Sequence, residues 1–272
     1  MADRFVFTIT TGRSGTTYLA ELLARNVPDS RVWHERTSFQ SFGVDTPDLS
    51  HFTLFNSVGN VRKVQGFWRR KFIRDRKTDR KVHGETSHLL AKAGLLENID
   101  LLTDNGATVD VVILKRDVAD TVWSFYNRFD FVNNGLAWAF YLDTAYPNVI
   151  VNSEPFVGHG AAGRALWYVV EMRVRAAYYR QLMSDIPGLR FHETDLPSIA
   201  NSRGAGELLE AMDLSPDAAP VCPRPRNESG DPFFGEDERS KLDKLCARFA
   251  FDEEELAATY IRLGKRLSNG VP

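Results

Sequence analysis

The chain has 272 residues and a mass of 30.7 kDa, with 43% hydrophobic and 26% charged residues, which excludes a disordered or low-complexity protein. The formal net charge is −2, from 34 basic and 36 acidic side chains, so the overall charge does not predict a partner among nucleic acids. Because no apolar run reaches the ~18 residues of a transmembrane segment, we expect a soluble, cytoplasmic protein. We also expect a single domain over residues 1–272.

Five short segments predict β-strands, because they are rich in β-branched and aromatic residues and are bounded by polar or turn-forming residues. They are residues 4–10, 30–34, 81–85, 108–114 and 189–193. Most are separated by segments with helical spacing of apolar residues. These predicted helices are 18–25, a helix capped by Asp117, 164–183, 236–250 and 252–265. The alternation predicts an α/β fold with a central, mainly parallel sheet, and the apolar strand 108–114 belongs near its centre.

Residues 127–163 differ from the rest of the chain, because they are rich in aromatic residues, Gly, Asn and Pro and show no clear period. A long segment of this kind inside a compact domain is typical of a loop with a function of its own. We therefore predict a lid or a binding insertion there.

A glycine-containing loop at residues 12–17 (Gly-Arg-Ser-Gly-Thr-Thr) lies between the first predicted strand and the first predicted helix. Free backbone N–H groups and the positive end of a helix dipole face one point at such a junction, so it predicts an anion site. The lysine of an ATP-hydrolysing P-loop (G-x-x-x-x-G-K-[ST]) is missing, and so is the third glycine of a dinucleotide loop. The expected anion is phosphate-like but presented differently.

A second candidate motif follows the central strand, where Arg116 precedes Ser124 by eight residues. A guanidinium at a strand end and a hydroxyl about two turns along the next helix can converge on one phosphate. Read alone, the pair also fits a salt-bridged arginine and an ordinary helical serine.

These two motifs resemble those of sulfotransferases that use 3'-phosphoadenosine 5'-phosphosulfate (PAPS). The loop is similar to their 5'-phosphosulfate loop, with Arg13 in place of the lysine of cytosolic members, as in many carbohydrate sulfotransferases. Arg116 and Ser124 match the family's 3'-phosphate motif in type and spacing. The resemblance implies a P-loop-NTPase-like three-layer α/β/α fold. It also implies a donor site formed by Gly12, Arg13, Ser14, Gly15, Thr16, Thr17, Tyr18, Arg116 and Ser124.

Two further pairs of residues resemble parts of these enzymes. Arg224 and Arg226 lie where family members place a late basic loop over the 3'-phosphate, although the usual Arg-Lys-Gly is absent. His34 and Glu35, after the second predicted strand, resemble a His-Glu pair of some bacterial and carbohydrate sulfotransferases, and we predict that they line the substrate pocket.

The catalytic base has two candidates at the end of the third predicted strand. Transfer of a sulfuryl group to an alcohol needs a group that removes the hydroxyl proton and a cation, here Arg13, that stabilises the transferred oxygens. Glu85-Thr-Ser resembles the Glu-Lys-Ser of heparan-type enzymes, whose Glu is the base, whereas Ser-His88-Leu resembles the Thr-His-Leu of cytosolic members, whose His is the base. We favour Glu85 and keep His88 as the alternative.

The sequence thus predicts a PAPS-dependent sulfotransferase with a carbohydrate, glycolipid or small natural product as acceptor and without a metal ion. The alternatives are a nucleoside or small-molecule kinase with a nonstandard phosphate loop, and a non-catalytic nucleotide-binding module. The basic run 69–81 is either a surface that attracts an acidic acceptor or an ordinary solvated charged face.

Overall fold

The computed structural model describes residues 1–132, 140–216, 218–224 and 232–269. Five strands form one sheet, in which every neighbouring pair runs parallel. The strands are β1 (Arg4–Ile9), β2 (Ser30–His34), β3 (Val82–Thr86), β4 (Thr108–Lys115) and β5 (Leu189–Asp195). Their spatial order is β2-β3-β1-β4-β5, which confirms the predicted α/β class with a central parallel sheet.

Helices connect the strands and follow the last of them. The α-helices are α1 (Thr16–Asn26), α2 (Leu49–Val58), α3 (Arg62–Arg76), α4 (Asp100–Thr103), α5 (Val118–Asn127), α6 (Glu154–Val157), α7 (Gly160–Met183), α8 (Leu196–Ile199), α9 (Ser202–Ala211), α10 (Glu236–Arg248) and α11 (Glu253–Arg262). Short 3-10 turns lie at Leu90–Ala93, Leu96–Asn98 and Leu267–Asn269.

The sheet is covered on both faces, because successive side chains of a strand point to opposite sides. In β1, Phe5 and Phe7 belong to the larger apolar core, which contains the buried side of α7, while Val6 belongs to a second core with α1 and α9. In β4, Val111 and Val112 divide in the same way. This explains why the central strands are nearly continuous apolar runs rather than alternating ones.

The neighbouring strands β1 and β4 are followed by helices on opposite faces of the sheet. Leu19 of α1 packs in the core that contains Val6, whereas Val122 and Phe125 of α5 pack in the core that contains Phe5. Parallel strands whose connections diverge in this way leave a crevice at their carboxyl ends, where α/β proteins bind ligands. Both sequence motifs lead into this crevice.

The start of α5 follows from one capping side chain. Oδ1 of Asp117 accepts a hydrogen bond of 2.9 Å from the backbone N–H of Asp120, which confirms the predicted cap. The cap fixes where the helix begins and thereby brings Ser124 over the crevice.

A fully buried polar network connects α7 to α2 and to the segment before α6. The guanidinium of Arg175 donates to Glu171 (2.6 Å), to the side-chain oxygen of Asn56 (3.0 Å) and to the backbone carbonyl of Asn148 (2.9 Å). Every donor nitrogen of this buried cation therefore has an acceptor, which offsets the cost of removing it from water.

Helices α2 and α3 lie in a region where the sequence patterns predict no helix. In α3 the buried face contains Phe67, Trp68 and Phe72 but also the ionisable residues Lys71 and Asp75. These two charged residues interrupt the apolar period, so the segment resembles a basic surface run. Its remaining basic residues face outward.

The predicted lid at 127–163 lies partly outside the described residues, because 133–139 are not described. Its later part contributes Leu142, Tyr146, Val151 and Phe156 to the larger core. The role of this segment as a lid or a binding insertion stays a prediction.

The buried network of α7 gives a prediction on stability. Replacing Arg175 by Met leaves the carboxylate of Glu171 without its cation inside the protein, and we expect a loss of about 3 kcal/mol or more in the free energy of unfolding. Urea denaturation measures it. The exposed Arg203, which pairs with Glu207 on the surface of α9, is the control, and its replacement by Ala should leave the urea midpoint unchanged. Equal effects of the two changes would contradict this account.

Candidate functional site

The loop between β1 and α1 has an unusual backbone. Gly12, Arg13 and Gly15 all have positive φ angles, of 81°, 58° and 101°. Glycine adopts this conformation freely, but arginine does so rarely, so the turn must be held by its surroundings. Gly15 is the N-cap of α1 and provides no side-chain hydrogen bond to the first N–H groups of the helix. These N–H groups point into the crevice as anion donors.

The two sequence motifs meet at Arg13. Its Nε donates a hydrogen bond of 3.1 Å to Oγ of Ser124, and its backbone carbonyl accepts one of 3.0 Å from the guanidinium of Arg116. Burial and the nearby guanidinium of Arg128 lower the pKa of Arg13, so cations crowd this position. Such a cluster favours a bound anion carrying more than one negative charge.

The other residues of the loop have different surroundings. Ser14 is buried and exchanges a hydrogen bond with Thr10, while the hydroxyl of Tyr18 donates to the carbonyl of Ile199 (3.1 Å) inside the second core. Burial raises the pKa of Tyr18 to about 12. Thr16 is also buried, and its carbonyl accepts a hydrogen bond from another side chain of the sheet. The side chains of Ser14, Thr16 and Tyr18 thus contribute to packing around the loop.

His34 connects the end of β2 to this loop and has a single tautomer that satisfies its contacts. Its Nδ1 lies 3.1 Å from the carbonyl oxygen of Thr86, which can only accept, so Nδ1 carries the proton. Its Nε2 lies 3.0 Å from Oγ1 of Thr17 and accepts from that hydroxyl. His34 therefore positions Thr17 at the start of α1, and both of its ring nitrogens have partners in the protein.

Glu35 and His88 face each other beside the loop. Oε1 of Glu35 accepts from the backbone N–H of His88 at 3.4 Å and lies 3.6 Å from Nε2 of the His88 ring. Glu35 itself has a left-handed backbone (φ 37°). The His88 ring packs so closely on the loop that a Cβ at Gly12 would lie 3.2 Å from its Cγ. The Glu35 side chain keeps 22% of its surface exposed, so a ligand in the crevice can reach it.

Glu85 lies apart from these residues, because alternate residues of β3 point to opposite faces of the sheet. Its carboxylate is fully buried and contacts Lys71 at 2.6 Å and Arg36 at 3.0 Å, with Asp75 and His83 completing the cluster. The two cations hold the pKa of Glu85 well below its usual range. The prediction that Glu85 is the base stays a prediction, and the contacts indicate a structural ion cluster.

The same cluster contains a triad that could in principle bind a metal ion. Asp75, His83 and Glu85 bring one ligand atom each within 4.8 Å of one another. However, Lys71 already contacts both carboxylates, at 3.0 and 2.6 Å. Because an ammonium group stands where a cation would bind, we interpret this group as an ion-pair network.

The late basic loop adds little to the described site. Arg224 is exposed, and Arg226 lies outside the described residues. Their predicted contact with a 3'-phosphate stays a prediction.

Two residues of the site have no clear signal in the sequence. Tyr168 of α7 donates a hydrogen bond of 2.8 Å to the carbonyl of Thr11 and thereby restrains the residue just before the loop. Lys92 contacts both Tyr168 and the ring of His88. Only the position of Lys92, four residues after His88, could have suggested its contact.

Comparisons with known proteins identify no family, but they include solved structures of similar fold. No family model matches the chain, and no curated protein matches it. The fold is similar to the crystal structure of a sulfotransferase from Alicyclobacillus acidocaldarius, with 12% sequence identity, a TM-score of 0.44 and 96% of each chain covered. Within the described residues, no helix is both long and apolar enough to cross a membrane.

The buried position of Glu85 gives a second prediction. Replacing Glu85 by Gln leaves Lys71 and Arg36 short of one negative charge, and we expect the free energy of unfolding at neutral pH to fall by about 3 kcal/mol. A lowered pKa in the folded protein means that the ionised carboxylate stabilises the fold above its unfolded pKa, near 4.5, and that this contribution is lost as the pH falls.

The difference in stability between the wild type and Glu85→Gln should therefore narrow from pH 7 to pH 3 in urea titrations. The partly exposed Glu35 provides the matched control, since Glu35→Gln should change stability little. A Glu85→Gln variant that is as stable as the wild type at pH 7 would contradict the structural role of this carboxylate.

Proposed function

We propose that the protein transfers the sulfuryl group of PAPS to the hydroxyl of an acceptor. The observation that carries the proposal is the contact of Arg13 with both Arg116 and Ser124 at the mouth of the crevice between β1 and β4. Two guanidinium groups and the N-terminus of α1 make this a site for a ligand with two separate anionic groups. PAPS is such a ligand.

The described residues suit the donor in charge. Positive φ angles at Gly12 and Gly15 allow a turn that leaves backbone N–H groups available to an anion. The sides of these glycines that lack a Cβ are filled by His88 and Leu196. We assign the phosphosulfate to this loop with Arg13, and the 3'-phosphate to Arg116 and Ser124. Bound there, the donor supplies an activated sulfuryl group whose leaving phosphate is already charge-stabilised.

We assign the removal of the acceptor proton to Glu35. Its carboxylate is partly exposed and lies beside the loop, whereas that of Glu85 is fully buried and paired with two cations. A base whose pKa is held far below neutrality is also a weak proton acceptor, which counts against Glu85. His88, 3.6 Å from Glu35, is the neighbour that orients this carboxylate.

In the proposed reaction, the acceptor oxygen forms a bond to sulfur while the bond between sulfur and the bridging phosphate oxygen breaks. The hydroxyl proton passes to Glu35, and Arg13 stabilises the negative charge on the transferred oxygens.

The proposed acceptor is the one that the sequence suggests: a carbohydrate, a glycolipid or a small natural product. We propose that residues 127–163 contact it. We also propose a single cytoplasmic domain over residues 1–272.

The donor site can be tested by calorimetry with 3'-phosphoadenosine 5'-phosphate, the expected product. We expect the wild type to bind this bisphosphate more tightly than ATP with magnesium. Arg116→Ala should weaken binding roughly 10- to 100-fold, because a charge-assisted hydrogen bond to a phosphate is lost. Arg203→Ala, on the surface of α9, should bind like the wild type. A preference for magnesium ATP would instead favour a kinase.

The base can be tested by kinetics with radiolabelled PAPS and a panel of sugars, glycolipids and phenols. We expect Glu35→Gln to lower turnover by about 100-fold or more, as is typical of the loss of a general base, while binding of the bisphosphate product is retained. The control is Glu255→Gln, on the exposed face of α11, which should turn over normally. Full turnover in Glu35→Gln would exclude Glu35 as the base.

A further inference from the structure

Lys92 is a fully buried lysine directly below the candidate site. Its Nζ lies 2.6 Å from the carbonyl oxygen of Phe140, 2.9 Å from the hydroxyl of Tyr168 and 3.0 Å from Nδ1 of His88. An ammonium group has three N–H donors, and here each of them has one acceptor.

The surroundings of Lys92 differ from those of an ordinary buried lysine. Within the part of the chain that the structure describes, no carboxylate lies within 4.0 Å of its Nζ. The rings of Tyr141 and Tyr168 flank it instead, with centroids at 5.3 and 5.0 Å, in a position that favours a cation. Burial lowers the pKa of Lys92, while the carboxylate of Glu35 acts in the opposite direction.

The position of the proton on His88 depends on the charge of Lys92. The hydroxyl of Tyr168 donates to the carbonyl of Thr11, so it accepts from Lys92. The carbonyl of Phe140 can only accept. When Lys92 is charged, its third N–H is directed at Nδ1 of His88, which is then the unprotonated nitrogen. In a neutral imidazole the proton is then on Nε2, the nitrogen that faces Glu35.

We propose that Lys92 is a positioning residue, whose ammonium group holds His88 in the Nε2–H tautomer so that His88 donates toward Glu35 and leaves Glu35 as the proton acceptor. This inference rests on the proposed function, because it refines how the base is oriented. The hydrogen-bonded side chains then carry one positive charge, on Lys92, and one negative charge, on Glu35, with His88 neutral between them. A group that is neutral overall costs less to remove from water.

The charges around His88 give the proposal a pH signature. Burial lowers the pKa of His88 well below its usual range, and the positive charge of Lys92, with a contribution from His34, lowers it further. Glu35 faces the ring, Tyr141 stacks on it, and Tyr168 and Arg175 of α7 face Lys92 from the other side. Without Lys92, the pKa of His88 rises and the ring takes up a second proton at higher pH. The carboxylate of Glu35 is then paired with a cation and less able to accept a proton.

The first test is nitrogen NMR of the six histidines and of the lysine side chains in the wild-type protein without donor or acceptor. His88 is assigned by comparison with His88→Gln. We expect His88 as the neutral Nε2–H tautomer and Lys92 as a charged ammonium group from pH 6 to pH 8. An Nδ1–H tautomer, or an uncharged amine at Lys92 over this range, would overturn the proposal.

The second test compares the pH dependence of turnover in the wild type and in Lys92→Met, which replaces the ammonium group with an apolar chain of similar length. We expect Lys92→Met to gain an acidic limb at higher pH than in the wild type, because loss of the positive charge raises the pKa of His88 while burial still holds it below its ordinary value. One pH unit below the midpoint of that limb, kcat should be about tenfold lower. The wild type should show no such limb. An unchanged profile in Lys92→Met would overturn the proposal.

A matched control is Lys71→Met, since Lys71 is also fully buried but contacts Glu85 rather than His88. It should lower stability without changing the shape of the pH profile or the tautomer of His88. Calorimetry with 3'-phosphoadenosine 5'-phosphate distinguishes a failure of the proposed function from a failure of the role of Lys92. Failure of the wild type to bind it would refute the proposed function, whereas normal binding with the wrong tautomer would refute only the role of Lys92. If Lys92→Met does not fold, the wild-type spectrum alone decides.

Discussion

The turn from β1 into α1 is the constraint on which the rest of the site depends. Gly12, Arg13 and Gly15 all have left-handed backbone there, and for Arg13 this conformation is unfavourable on its own. Contacts from distant parts of the chain offset that cost: Arg116 binds the carbonyl of Arg13, and Ser124 accepts from its guanidinium. The geometry of the proposed anion site therefore depends on the sheet order, which places β4 beside β1, and not on the loop sequence alone.

Two fully buried lysines show how the same group can serve different ends. Lys71 contacts the carboxylates of Asp75 and Glu85, so its charge is matched by neighbours that are themselves inaccessible to a ligand. Lys92 has a carbonyl, a phenol and an imidazole as acceptors, and the opposing charge is that of the partly exposed Glu35. The first arrangement stabilises the fold, whereas the second ties a buried cation to a group that a ligand can reach.

Much of the fold could be predicted from local sequence, but the assignment of side chains to the site could not. The strands can be recognised in the sequence because a sheet covered on both faces needs apolar side chains at nearly every strand position. The start of α5 can be recognised from its capping residue, Asp117. The spacing of Arg116 and Ser124 also sufficed to bring them to one place, since a strand and the helix that follows it have fixed dimensions. Glu85 shows the limit. A strand that is buried on both faces does not reveal which of its alternate side chains faces the loop or which ion pairs it makes. The pairing of Glu85 with Lys71 and Arg36 had no signal in the sequence, and its role as the base stays a prediction.

The placement of Glu35 follows from how its neighbours use their hydrogen-bonding groups. Both ring nitrogens of His34 are engaged, by Thr17 and by the carbonyl of Thr86, and Nδ1 of His88 is engaged by Lys92. The only ring nitrogen left among these two histidines is Nε2 of His88, and with Nδ1 accepting from an ammonium group it is a donor. Two histidines beside an anion site would ordinarily be the first candidates for a base. In the proposed arrangement the two histidines donate hydrogen bonds or hold neighbouring side chains in place. The carboxylate of Glu35 then keeps lone pairs that can accept the proton of an acceptor. In the proposed reaction, proton transfer therefore depends on residues two contacts away from the crevice, which side-chain type and strand position do not reveal.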